Sequence, residues 1–281
     1  MLTEPRSGRL AAWGNALLAG LVSPDEAAGR ITADDARHRV ALPEDDGDPV
    51  GLTLALGRLR ALGGTGLRLA LPVPGHLLGL SGPPEFNARA VEAGEAVLVA
   101  GTALGLVPAV HEAGPPAADG AGGVSPEDVH TEVLWECLPV REAPPADVPS
   151  LAEAERELAQ AVREATEMLT RLDVAGSGPV ADAALEAYRA RMEAGRQLLA
   201  PGYPARAVRV LELAQRVGAL VSIAYGEGGD GREHGGAVSA AEIAARAEVL
   251  RPVERTARRA QVAAYNAYAE EVERRREGGR P

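Results

Sequence analysis

Residues 143–153 read Ala-Pro-Pro-Ala-Asp-Val-Pro-Ser-Leu-Ala-Glu, and this stretch divides the chain into two parts of different character. The prolines between 143 and 149 exclude a helix and stiffen a connection. Ser150 and Glu153 then form a capping box, a pattern that opens helices. The stretch therefore predicts a proline-rich linker at 143–149 and a helix that begins directly after it.

After the linker, the sequence is typical of packed helices. Apolar residues from 151 to 172 recur at alternating steps of three and four, which is the spacing of a heptad seam. A second helix is predicted over 178–199, a third between the break at 201–204 and the loop at 226–236, and a fourth from Ser239 to about Arg276, bent at Pro252. The residues expected on the buried face of the third helix are Val210, Leu213, Val217, Leu220 and Ala224. We therefore expect a predominantly antiparallel four-helix bundle over 150–277, followed by a short tail at 278–281.

Before the linker, strand and helix patterns alternate. Aliphatic runs bounded by Gly or Pro predict strands at 67–73, 96–100, 104–110 and 131–140. Periodic segments at 9–21, 52–62 and 84–93, and a short one after Ser23, predict helices. These patterns indicate an α/β domain over 1–142 with a small mixed β-sheet and covering helices, so the whole chain is expected to be of the α+β class.

The composition excludes several kinds of chemistry. The chain has no lysine, and all 29 of its basic side chains are arginine. A lysine Schiff base and a P-loop lysine are therefore impossible, because arginine is not deprotonated in proteins. Cys137 is the only cysteine, which excludes an internal disulfide and a cysteine-cluster metal site.

The charge argues against nucleic acid as a partner. The net charge is −11, and nearly all of it lies in the first half of the chain. Arginines of the last helix, at 255–259 and 274–276, alternate with glutamates that neutralise them, which indicates a solvated helix end. No run of 18 apolar residues and no signal-peptide pattern is present, so we expect a cytoplasmic protein without a membrane partner.

One segment, 72–92, collects polar side chains between the end of a strand and the start of a helix. Ligands bind at such positions in α/β sheets. The residues concerned are His76, Ser81, Glu85, Asn87 and Arg89. The histidine is a candidate base, the serine a candidate nucleophile and the helix start a candidate anion site. The spacing matches no catalytic motif, so the alternative is a loop whose prolines and glycines only fix a turn.

No metal or cofactor is predicted from the sequence. The acidic run at 44–48 lacks the spacing of an EF-hand, and the glycine-rich run at 226–236 follows a helix rather than a strand. His111 and His130 flank a Gly/Ala/Pro-rich segment and would need Glu112 or Glu132 to complete a metal site.

The sequence favours a non-catalytic interaction or scaffold protein. Its C-terminal helices would bind a protein partner or a second copy of the chain. The alternative is a small-molecule-binding protein or enzyme with its site in the 72–92 segment. No catalytic residue is assigned under the first hypothesis.

Overall fold

The computed structural model describes residues 4–43, 48–114, 130–141, 145, 147–171, 199–225 and 240–278. The chain divides into two compact units, and the main break lies between Asp147 and Val148. The described residues contain six strands and seven helices. The predicted α+β class is therefore confirmed.

The first unit, the sheet unit, contains a mixed six-stranded sheet in the order β2-β1-β6-β5-β4-β3. All neighbouring strands are antiparallel except β1 and β6, which are parallel. The strands are β1 (Arg37–Ala41), β2 (Val50–Gly51), β3 (Gly66–Ala70), β4 (Ala96–Ala100), β5 (Leu104–Ala113) and β6 (His130–Pro139). The expected small mixed sheet is confirmed.

Strands β4 to β6 follow the sequence prediction closely. β4 pairs with β5 through a turn at Gly101, whose positive φ of +79° suits a residue without a side chain. Along β6, Val133, Trp135 and Cys137 are buried on one face, as their alternation predicted. The sequence-predicted first strand, by contrast, ends at Ala70 rather than at residue 73, because the chain turns there.

Two strands were missed. β1 has the sequence Arg-His-Arg-Val-Ala, which contains no apolar run, and β2 has only two residues. In β1, His38 and Val40 are buried while Arg37 is exposed and Arg39 half-buried. This alternation becomes visible only when β1 pairs with β6, because histidine and arginine carry no strand signal of their own.

Four helices cover the sheet, and they are α1 (Arg6–Leu18), α2 (Pro24–Thr32), α3 (Leu52–Ala61) and α4 (Pro84–Ala93). Local signals set several of their ends. The Ser23 hydroxyl accepts a hydrogen bond from the Glu26 N–H at the start of α2, and Gly94 ends α4 in the left-handed conformation. Gly14 of α1 lies against Leu67, whereas Phe86 of α4 packs with Ala70, three residues further along β3. Since residues three apart point to opposite sides of a strand, α1 and α4 cover opposite faces.

The second unit, the helical unit, contains α5 (Leu151–Arg171), α6 (Ala205–Tyr225) and most of α7 (Ala240–Gly278). The capping box is confirmed, because the Glu153 N–H donates to the Ser150 hydroxyl and Glu153 accepts from the Ser150 N–H. Ala154, Leu158 and Ala165 of the predicted seam are buried, and α5 packs on α6. The predicted helix at 178–199 lies almost wholly outside the described residues, as do the 226–236 run and most of the 44–48 run, so a four-helix bundle is not confirmed.

One prediction about α6 is wrong. Leu213 and Leu220 were expected on its buried face, but Leu213 is half-buried and Leu220 is 45% exposed. Val210 and Val217 of the predicted face are buried as expected, together with Ala207, Leu211 and Ala214. The buried face is therefore rotated around the helix from the predicted one, and Leu213 and Leu220 lie at or beyond its edge.

The last turns of α7, from Tyr268 onward, belong to the sheet unit. Glu273 forms an ion pair with Arg68 of β3, and Ala269 lies against Gly66 of the same strand. From α1, the Asn15 side chain accepts from the Leu67 N–H at 2.7 Å and donates to the Leu67 carbonyl at 2.9 Å. The two Asn15 hydrogen bonds satisfy the backbone of Leu67 on the edge strand β3, which would otherwise be open to pairing.

Candidate functional site

The 72–92 segment is tightly folded on itself. The backbone of Val73 and that of His76 exchange two hydrogen bonds of 2.9 Å around Pro74 and Gly75. Proline presets its own φ and Gly75 has a φ of +81°, so this sequence makes the turn at little cost. The turn brings His76 back over the end of β3.

His76 is the buried member of the predicted site. Only 9% of its surface is exposed, and its Nε2 lies 2.5 Å from Oδ2 of Asp147, just before the break between the units. Asp147 is more exposed and has a left-handed backbone, with φ of +59°, which aspartate tolerates better than most residues. The Nδ1 atom of His76 is buried and has no hydrogen-bond partner among the described residues.

The other predicted residues make contacts with different partners. The Ser81 hydroxyl donates to the Arg141 carbonyl at 3.3 Å, and Glu85 is exposed in the first turn of α4. Asn87 accepts from the Gly82 N–H at 3.1 Å. Arg89 forms a 2.5 Å ion pair with Glu136 of β6. These contacts fix the loop and α4 to the sheet, and the ligand-binding hypothesis for this segment remains a prediction.

A second polar cluster was missed from the sequence. Arg6 donates to both carboxylate oxygens of Asp35, at 2.9 and 2.7 Å, and Arg9 donates to one of them at 2.9 Å. Nε2 of His38 also lies 2.9 Å from Asp35. Burial alone would raise the pKa of Asp35, but the hydrogen bonds from Arg6 and His38 outweigh it and hold the pKa below its usual value.

His38 is held in one neutral form by this cluster. The indole N–H of Trp135 donates to Nδ1 of His38 at 3.3 Å, and an indole has no acceptor. Nδ1 must therefore be unprotonated, and Nε2 carries the hydrogen donated to Asp35. Burial lowers the pKa of His38, in agreement with this geometry. Both aromatic rings are buried, so the cluster does not present a reactive group to solvent. It joins α1, β1 and β6 instead.

Cys137 is not a candidate nucleophile. It is buried on β6, and desolvation raises the pKa of its thiol to about 11. The thiolate is the reactive species, so this side chain remains protonated and inert at neutral pH.

The predicted histidine pair lies on the β5–β6 hairpin. Ala113 is opposite His130, and His111 is opposite Glu132. Within the described ranges, no group of three or more His, Cys, Asp or Glu side chains is placed to hold a metal ion. Over the same residues, no helix combines the length and apolarity needed to cross a membrane.

Among the described residues of the helical unit, the most exposed large apolar side chain, Leu220, lies on α6. Its outer side carries Arg209, Leu213, Arg216 and Leu220, which we call the α6 stripe. Leu220 is 45% exposed, and both arginines are exposed. The helical spacing predicts both leucines in the core, because such spacing alone does not show which of two neighbouring lines on a helix is buried.

Comparison with known proteins assigns the chain to a family. A sequence model for the N-terminal domain of the Rv1486c-like proteins matches residues 7–150, and one for their C-terminal domain matches residues 152–262. The chain belongs to the Rv1486c-like family. No solved structure matches it significantly.

Mycobacterial members of the Rv1486c-like family resemble the chain over most of its length. Uncharacterized protein Rv1486c of Mycobacterium tuberculosis H37Rv is 31% identical to it, and the alignment covers 92% of this chain and 95% of the relative. Uncharacterized protein ML1804 of Mycobacterium leprae is 29% identical over the same shares of the two chains. These similarities show that the chain belongs to a bacterial family, and they indicate no activity.

Proposed function

We propose that the protein is a cytoplasmic, non-catalytic interaction protein that binds a protein partner through its C-terminal helices. The antiparallel four-helix bundle expected from the sequence is part of this proposal. The observation that carries it is the exposed apolar line on α6, where Leu220 remains 45% exposed after the helix has packed. Burying the exposed part of such a leucine against a partner contributes about 1 kcal/mol.

The polar groups of the sheet unit support the same proposal. His38 is held neutral between Asp35 and Trp135, Arg89 is paired with Glu136, and the thiol of Cys137 stays protonated. Catalytic groups need a pKa matched to their task and access to a substrate. These side chains hold strands and helices together instead.

Site-specific photo-crosslinking tests the proposal. The full-length chain would be expressed in mycobacterial cells with p-benzoylphenylalanine in place of Leu220, and separately in place of Leu62. Leu62 is a matched control because it is also 45% exposed, but it lies at the end of α3. We expect a discrete crosslinked protein band from position 220 and none from position 62. Equal crosslinking at both positions, or none at position 220, contradicts the proposal.

A second candidate function is small-molecule binding at the 72–92 segment, favoured by the unpartnered, buried Nδ1 of His76. A ligand that donates a hydrogen bond to this atom would stabilise the folded protein by mass action. Thermal-shift measurements against a metabolite panel would show an increase in Tm that His76→Ala and Asn87→Ala both abolish. A shift that survives both changes places the ligand elsewhere.

A further inference from the structure

Helix geometry places the side chains of the α6 stripe in two lines. Leu213 and Leu220 are seven residues apart, as are Arg209 and Arg216, so each pair is separated by about 10 Å along the helix axis. At 3.6 residues per turn, the arginines lie on the side of the leucines that is farther from the buried face. The stripe is therefore an apolar line bordered by positive charge.

Among the described residues, α6 packs through another side of the helix, where Val210, Leu211 and Ala214 are at most 2% exposed. Leu213 is half-buried, so the exposed part of the stripe is Leu220 and the two arginines. Arg209 and Arg216 form no ion pair with any residue in the described part of the chain. Within the described ranges, these two charges are therefore unpaired and lie beside the exposed surface of Leu220.

The local charge is opposite to that of the protein as a whole. The chain has a net charge of −11, yet α6 has three arginines and one acidic residue, Glu212. Arg206 is occupied by an ion pair with Glu155 of α5. The stripe therefore presents two uncommitted guanidinium groups, which select carboxylates because their planar forks bind both oxygens of a carboxylate.

We propose that the α6 stripe docks an acidic amphipathic helix of a partner protein. This inference rests on the proposed function and names the chemistry of the partner. Leu213 and Leu220 would pack between the apolar side chains of the docked helix, in the manner of helix-in-groove recognition. Arg209 and Arg216 would pair with its Asp or Glu residues and set its orientation, because charges at the rim of an interface contribute to specificity and association rate. The stripe spans about 16 Å, which matches three turns of a helix.

Two synthetic helical peptides of about 18 residues would test the partner chemistry. Both have leucines at the a and d heptad positions, and they differ only in having Glu or Lys at the flanking positions. Binding to the full-length protein would be measured by fluorescence anisotropy at physiological salt. We expect the Glu peptide to bind about tenfold more tightly than the Lys peptide. We also expect the double variant Arg209→Glu/Arg216→Glu to reverse this preference.

A matched double variant on α5 provides the control. Arg156 and Arg163 are also seven residues apart and exposed, so Arg156→Glu/Arg163→Glu changes the net charge equally without touching the stripe. This control must keep the preference for the Glu peptide. A lost preference in the control, or none in the original protein, overturns the inference.

A further test asks whether a second copy of the chain, rather than a partner protein, binds the α6 stripe. Sedimentation of the purified protein over a concentration series would show self-association, and loss of that association in Arg209→Glu/Arg216→Glu would also overturn the inference. Crosslinking from position 220 that persists in the same variant would leave the proposed function standing and refute only the acidic-helix chemistry.

Discussion

The buried Asp35 cluster of the sheet unit and the outer side of α6 in the helical unit use their arginines in different ways. In the sheet unit, arginines and carboxylates pair across elements, as Arg6 and Arg9 do with Asp35, and they fix strands to helices. In the helical unit, α6 presents Arg209 and Arg216 to solvent beside an exposed leucine. A charged group already satisfied within the fold has little left to offer a partner, and this difference is a basis of our proposal that the helical unit binds one.

The largest expected effect is a difference in the free energy of unfolding between variants on the two sides of α6. Leu211→Ala should lower the free energy of unfolding by about 3 kcal/mol, because Leu211 is fully buried and its truncation leaves a cavity. Leu220→Ala should lower it by about 1 kcal/mol or less, because that side chain is 45% exposed. Urea denaturation of both variants measures the difference. Similar losses in the two variants would mean that Leu220 serves the core and that the stripe is structural.

A smaller effect tests the buried cluster of the sheet unit. The folded protein holds the pKa of His38 below 6.5, so in this range the unfolded chain binds more protons. Stability contributed by His38 is therefore complete above pH 6.5 and is lost as the pH falls below that value, by up to about 1.4 kcal/mol per pH unit. Chemical denaturation between pH 8 and pH 5 measures this dependence.

His38→Gln is the control for that pH dependence, because glutamine offers a donor and an acceptor but does not titrate. Burial raises the pKa of Glu95 above 4.5, so its contribution has the opposite sign and is lost as the pH rises through its folded pKa. Asp35 has a lowered pKa and contributes above pH 3.8, outside this window. The difference between the original protein and His38→Gln isolates the histidine. Identical pH profiles would show that His38 is not held neutral.

Local signals explain which elements could be predicted. Ser23 and Ser150 cap their helices, Gly94 ends α4, and the alternation around Trp135 marks β6. Each signal acts within a few residues of the chain, so it can be recognised in the sequence without the rest of the fold. The alternating steps of the heptad seam likewise identified the part of α5 that is buried, since Leu158 is fully inaccessible.

The candidate site was only partly predictable for the same reason. The turn at Pro74 and Gly75 follows from its sequence, but the partner of His76 is Asp147, 71 residues away. Similarly, nothing near Asp35 in the sequence indicates that Trp135 completes its cluster through His38. Polar pairs distant along the chain leave no periodic pattern, whereas apolar faces do.

The amino-acid sequence by itself determined the α+β class, the ends of the well-capped helices and the exclusion of lysine and disulfide chemistry. The tertiary structure alone decided that β1 joins β6, that the end of α7 covers β3, and that Leu220 faces solvent. The physical reason is that caps and turns are satisfied by neighbouring residues, whereas the choice of buried face depends on which surfaces meet. On α6, Leu211 and the smaller residues around it are buried, whereas Leu213 is half-buried and Leu220 is exposed.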